Sequence, residues 1–225
     1  MAQALAATGA LGGKVLGEII VIAIIDYGAG NVASIVNMLK RLGHAAVLTS
    51  DPVVLEQAEK IILPGVGHFD YGMEKLEASG IIPLLDRRVL EEKVPILGIC
   101  LGVQLFTKRS DEGVRPGLGW IDAETVAFDR SRLGATDRVP HMGWSTLQVV
   151  RSSRILTPMD DAARFYFVHS YHLRCQHRED VIGQVTHGYP IDVAVERGNI
   201  FGVQFHPEKS HRFGMEMLRN FVSLS

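Results

Sequence analysis

Val94-Pro95-Ile96-Leu97-Gly98-Ile99-Cys100-Leu101-Gly102-Val103-Gln104-Leu105-Phe106 reads as a strand that turns sharply into a helix. A short apolar run ends in Gly-x-Cys-x-Gly, and a helix-like pattern follows. Such a run suits a strand buried on both faces. Gly98 and Gly102 carry no Cβ, so the backbone can turn tightly while a neighbouring segment packs close. Cys100 then stands at a helix start, where unpaired N–H groups and the dipole favour a thiolate. That geometry presents a nucleophile. A buried core cysteine shows the same local pattern, so the rest of the chain has to decide.

Upstream, residues 19–25 form a β-branched run, followed by a turn at Asp26-Tyr27-Gly28-Ala29-Gly30-Asn31. The spacing of Ile35, Met38, Leu39 and Leu42 predicts a helix over 32–42, stopped by Gly43. Strands are expected at 45–49 and 60–63. Asp51 caps a short helix that starts at Pro52. The 60–63 strand runs into Pro64-Gly65-Val66-Gly67. Helices are expected over 69–78, 81–93 and 101–108. Strands alternating with helices imply a parallel sheet, with chemistry gathered at the carboxyl ends of the strands. Asp26, the 64–67 loop and Cys100 share that rim.

After Ser110 the texture is β-rich. Short strands are expected at 123–128, 144–150, 165–169, 181–186, 191–195 and 200–205, then a terminal helix over 212–222. The fold class is therefore α/β, a mostly parallel central sheet flanked by helices with a β-rich second half. That half extends the same sheet and adds a small second one. Residues 1–20 are small and Gly/Ala-rich and read as a flexible extension, with one domain over 21–225. The extension lacks the charged start and firm apolar stretch of a signal peptide.

The 225 residues are 47% hydrophobic and 21% charged, ordinary for a globular protein. A net charge of -2 with no basic run argues against nucleic acid as the main partner. No apolar run reaches membrane-spanning length. Two cysteines, Cys100 and Cys175, make no disulfide framework, and a reducing cytoplasm fits best.

His206-Pro207-Glu208 follows the 200–205 strand. In an extended chain residues i and i+2 share a face, roughly 7 Å apart. Glu208 can then hold the His206 tautomer. Cys100, His206 and Glu208 make a nucleophile, base and orienter. An oxyanion hole needs two donors. The Leu101 amide supplies one, and the glycine-rich 64–67 loop the other. Gln104 lies one helical turn beyond Cys100 and shares its face. His169-Ser170-Tyr171 offers polar groups at a strand end.

Gly28-Ala29-Gly30-Asn31-Val32-Ala33, with Asp51 further on, matches a dinucleotide fingerprint. Asp26 there places negative charge near a pyrophosphate, which opposes that reading. His169, His172, Cys175 and His177 are close in sequence but meet no usual zinc spacing, and a hydrogen-bonded loop is the better reading.

Together these motifs resemble class I, triad-type glutamine amidotransferases, and within them the glutaminase subunits of imidazole glycerol phosphate synthase. The resemblance rests on 26–31, Pro64-Gly65-Val66-Gly67, Gly98-Ile99-Cys100-Leu101-Gly102-Val103-Gln104, Pro140-His141-Met142-Gly143-Trp144 and Gln204-Phe205-His206-Pro207-Glu208-Lys209-Ser210. It implies a flavodoxin-like amidotransferase fold with no metal or organic cofactor. It implies that Cys100, His206 and Glu208 are catalytic, with an oxyanion held by the amides of Val66 or Gly67 and of Leu101. Gly67, Gln104, Ser170 and Tyr171 then bind glutamine. Trp144, Tyr166 and Lys209 face a (β/α)8-barrel cyclase subunit that receives the ammonia. Two features depart from the pattern. Ser145 stands where many members have Asn. The segment 209–214 resembles paralogues that feed sugar-amidating enzymes of surface-polysaccharide synthesis. A non-catalytic binding subunit of the same fold is a further alternative, opposed by the intact Cys100, His206 and Glu208.

Overall fold

Four apolar runs, β1 (Ile22–Ile25), β2 (Ala46–Thr49), β3 (Lys60–Gly65) and β4 (Ile96–Cys100), lie parallel in the order β2-β1-β3-β4. This computed structural model describes residues 22–28, 32–156, 159 and 162–224. The extension expected at 1–20, and residues 29–31 of the first glycine motif, lie outside the described residues.

The connections are helices α1 (Val32–Arg41), α2 (Pro52–Glu56), α3 (Phe69–Ala78) and α4 (Ile82–Asp86), with α5 (Leu101–Leu105) after β4. Alternate residues of β1 feed opposite faces of the sheet. Ile22 and Ile24 pack with Ile35, Leu39 and Phe221, while Ala23 and Ile25 pack with Leu55, Leu63 and Phe69. Burial on both faces explains the continuous apolar runs of β1, β3 and β4, whereas the edge strand β2 leaves Val47 and Leu48 exposed. Asp51 caps α2 by accepting from the Val53 amide at 2.9 Å. That cap, worth about 1 kcal/mol, gives the acidic residue of the apparent dinucleotide fingerprint a structural role.

The second half contributes β5 (Ala123–Ala127), β6 (His141–Thr146), β7 (Gln148–Val149), β8 (Arg164–His169), β9 (Tyr171–Cys175), β10 (Val181–His187), β11 (Tyr189–Arg197), β12 (Ile200–Val203) and α6 (His211–Val222). Strand β12 joins β4 in parallel, and β11, β10 and β7 continue the sheet antiparallel. Strands β5 and β9 branch from β11, while β6 and β8 form a separate two-stranded sheet.

Several elements differ from expectation. The 144–150 strand is two strands. Buried Leu147 bonds to the Ala163 carbonyl, and the chain then leaves the small sheet for β10. The segment read as a loop around 169–177 is largely β9, its polar-looking His172 being buried. Helix α5 stops at Leu105, because Thr107 bonds back to the Gln104 carbonyl and the Lys108 amide goes to Ala123. The 81–93 helix breaks into α4 and a π-helical turn, Arg87–Glu91.

Register assembles the site. Gly65 pairs with Cys100, and Val203 pairs with Ile99. The 64–67 loop and the segment leading to His206 therefore flank the end of β4. No helix among the described residues is long and apolar enough to cross a membrane.

Candidate active site

Cys100 ends β4 with φ +55° and ψ -112°. A non-glycine residue holds such a conformation only where its surroundings dictate it. Here β3 and β12 pair with β4 on either side. Just beyond, α5 lies against the end of β3. A Cβ on Gly102 would stand 1.8 Å from the Leu63 carbonyl oxygen. Only glycine allows that approach, and the approach fixes where the Cys100 side chain emerges.

His206 follows Phe205, which packs against Phe165 and Phe167 with ring centroids 4.0 and 5.7 Å away. Its amide donates to the Tyr166 carbonyl at 2.9 Å. Ser210 clamps the next turn, donating to the His206 carbonyl at 2.6 Å and accepting from the Tyr166 amide at 3.0 Å. His206 Nδ1 lies 2.7 Å from Glu208 Oε1, and both side chains are buried. Pro207–Lys209 is a 3-10 turn, not the extended chain expected, so the pair meets by a tight turn rather than by strand alternation.

A carboxylate only accepts, so His206 Nδ1 carries the proton. Nε2 makes no hydrogen bond to oxygen or nitrogen among the described residues. Burial disfavours the charged imidazole, yet interactions with Cys100 and then Glu208 overcome it and raise the His206 pKa to about 9. The direction is that of an imidazolium facing a thiolate.

Cys100 and His206 border a cleft of about 390 Å³. Val66, Gly67, Leu101, Gln104, Ser170 and Tyr171, all singled out from the sequence, line it too. Gly67 has φ +109°, open only to glycine without strain. Gln104 Nε2 donates to Gln204 Oε1 at 2.9 Å and to the Tyr171 carbonyl at 3.4 Å. Gln204 Nε2 in turn lies 3.8 Å from Cys100 Sγ.

Lys209 lines the cleft and also sits 5.6 Å from the centre of the Tyr166 ring. Trp144 and Tyr166 lie outside the cleft as cross-strand neighbours in β6 and β8, with ring centroids 6.1 Å apart. Trp144 is 44% exposed and Met142 62%. The cleft mouth thus adjoins an exposed apolar face.

His169, singled out from the sequence with Ser170 and Tyr171 as a polar group at a strand end, lines the cleft as well, whereas Glu112, Pro140 and Val168 were not assigned to it. Glu112 caps α3 by accepting from the Phe69 amide at 2.8 Å, and no local pattern announces that contact across 43 positions. Tyr27 was also missed as a neighbour of the site. Its buried hydroxyl lies beneath Gly65, and burial, then Cys100, pushes its pKa up. Among the described residues, no group of three His, Cys, Asp or Glu side chains is placed to hold a metal ion.

The profile of the family described as glutamine amidotransferase class-I matches residues 23–224. A Pseudomonas aeruginosa protein named imidazole glycerol phosphate synthase subunit HisH 2 is 48% identical, covering 90% of this chain and 99% of its own. A Methanococcus maripaludis protein of the same name is 46% identical, covering 89% and 98%. Among solved structures, one titled glutamine amidotransferase superposes with TM-score 0.69 at 21% identity, covering 90% and 97%. A putative GMP synthase protein from Thermoplasma acidophilum gives 0.67 at 18%, covering 92% and 94%. These two share the fold.

Proposed function

This chain belongs to the class-I glutamine amidotransferases, and on that premise we propose the roles its residues take and the destination of its ammonia. Cys100 thiolate attacks the side-chain amide carbon of glutamine. The carbonyl oxygen becomes an oxyanion held by the Leu101 amide and by Val66 or Gly67. Protonated His206, oriented by Glu208, gives its Nε2 proton to the leaving nitrogen, and ammonia departs from a Cys100 thioester. Water then attacks the thioester while His206 takes back a proton, and glutamate leaves with the thiolate restored. Gly67, Gln104, Ser170 and Tyr171 bind the substrate glutamine.

The observation that carries this reading is the buried His206–Glu208 pair at 2.7 Å, with His206 beside Cys100 on one cleft. The names of relatives at 46 and 48% identity support the pathway. The chain is the glutaminase subunit of imidazole glycerol phosphate synthase in histidine biosynthesis. Ammonia is protonated in bulk water and lost as a nucleophile, so the cleft has to open onto a partner. The exposed face of Met142, Trp144, Tyr166 and Lys209 beside the cleft is the surface offered to a (β/α)8-barrel cyclase subunit.

The test is reconstitution. With a cyclase partner and its ribonucleotide substrate, glutamine should yield imidazole glycerol phosphate and glutamate in equal amounts. Glutamate release that never couples to that product redirects the ammonia to another acceptor, such as a surface-polysaccharide sugar. The 209–214 segment favours that acceptor.

A further inference from the structure

Beside the cleft, a run of hydrogen bonds points one way. His169 Nδ1 lies 2.7 Å from the Tyr171 carbonyl oxygen, and His141 Nδ1 lies 2.9 Å from His169 Nε2. Ser145 Oγ lies 2.8 Å from His141 Nε2. A carbonyl only accepts, so His169 holds its proton on Nδ1. Burial, with His141, His172 and His187 nearby, holds its pKa down at about 3, so the ring is neutral and Nε2 accepts. His141 must then donate from Nδ1. Burial, and then His187, holds its pKa down at about 4 against the pull of Asp137. Its bare Nε2 therefore accepts a hydrogen bond from the Ser145 hydroxyl. Every proton in the run has one place.

The run ends where the cleft begins. The Tyr171 carbonyl also accepts from Gln104 Nε2, which is tied through Gln204 to Cys100 Sγ. His169, Tyr171 and Gln104 line the cleft, whereas Ser145 and His141 do not. His141 and His169 face each other across β6 and β8, and Ser145 adjoins the exposed Trp144.

Four clustered imidazoles invite a metal reading. The bonds oppose it. His172 is engaged at both ring nitrogens, by the Leu173 carbonyl and the Tyr189 hydroxyl, and His187 Nε2 bonds the Arg138 carbonyl.

We propose that Ser145, His141 and His169 are positioning residues, a neutral one-way relay that holds the Tyr171 carbonyl and with it the Tyr171 and Gln104 side of the glutamine cleft. This rests on the glutamine reading given above. A relay of this kind governs how well the substrate is held more than how fast Cys100 reacts. It also makes a specific demand on position 145, which has to supply a donor.

The experiment is saturable inactivation of the full-length chain by a diazo-ketone analogue of glutamine, which reads binding as KI and chemistry as kinact. Ser145→Ala leaves the buried His141 Nε2 without its donor. KI should rise by about five- to tenfold, with kinact within about twofold of wild type. Ser145→Asn, whose amide N–H can replace the hydroxyl, should bring KI back to within about twofold. An unchanged KI in Ser145→Ala, a matching loss in kinact, or an Asn variant as poor as Ala overturns the proposal.

Nitrogen NMR of the wild-type chain at neutral pH gives a readout independent of glutamine. Both rings should be neutral and protonated on Nδ1, and a charged ring or an Nε2–H tautomer overturns the relay. If the analogue does not label wild-type Cys100 saturably, the glutamine reading itself fails. The positioning role falls with it, even where the tautomers are as stated.

Discussion

Gly102→Ala tests whether the elbow depends on the contact between α5 and the end of β3. The added Cβ would lie 1.8 Å from the Leu63 carbonyl oxygen and 2.8 Å from its carbon. Both are backbone atoms in a strand paired on both sides, so neither can turn aside like a side chain. Reaching even a 3.0 Å contact requires α5 or the Pro64–Gly67 segment to move by about 1.2 Å, and overpacking of this kind costs about 1–3 kcal/mol. At about 2–4 °C per kcal/mol for a chain of this size, Tm should fall by roughly 2–12 °C. The catalytic loss should be larger. A misplacement of about 1 Å costs on the order of 10²-fold in rate, and the shift falls on both the Cys100 turn and the 64–67 loop. The assay is the rate of Cys100 labelling by a glutamine-like electrophile, with a thermal melt. Gly134→Ala serves as control, since its Cβ would meet only the movable Asp137 carboxylate at 3.1 Å. Wild-type labelling and an unchanged melt in Gly102→Ala would refute the elbow argument.

Three further outcomes concern protons. Cys100 is the largest influence raising the His206 pKa, so Cys100→Ala should bring it down from about 9 toward the ordinary histidine range; an unmoved NMR titration contradicts the pairing. Glu208→Gln keeps an acceptor for His206 Nδ1 but removes the charge, and glutamate release should fall by about 10²–10⁴-fold; a loss below about threefold is incompatible with an orienting carboxylate. Buried neutral His141 and His169 have folded pKa values of about 4 and 3, below the unfolded value. The unfolded chain therefore binds protons that the folded chain refuses, and stability falls as pH drops from about 6.5 toward 4. The slope approaches about 1.4 kcal/mol per pH unit for each histidine. His206 acts in the opposite sense, its stabilisation being full below about 6.5 and lost as pH climbs through about 9. Urea midpoints that stay flat between pH 6.5 and 4.5 refute the neutral assignment.

The parallel half was legible because each strand is an apolar run closed by a glycine or a cap, as at Ile22–Ile25 and Asp51. The elbow was legible for the same reason, its glycines marking close backbone approach. The second half was harder. Tyr171–Cys175 mixes His172 and Arg174 with apolar residues, and the His172 bond to Tyr189 that permits its burial is invisible from its neighbours. The break at Leu147 depends on which of two sheets the chain joins, which is decided by Ala163 and Gln184 far along the sequence. In the site, residues on motif-bearing strand ends could be named. Glu112 could not, because it reaches the cleft through a contact between distant elements.

In the proposed mechanism Cys100 carries the glutamyl group. The most direct measurement is acid-quenched mass spectrometry of the chain turning over glutamine, with peptide mapping. A hydroxylamine-labile glutamyl adduct should map to Cys100, with no adduct or glutamate release in Cys100→Ala. An adduct mapped to another residue, or undiminished glutamate release from Cys100→Ala, would contradict it.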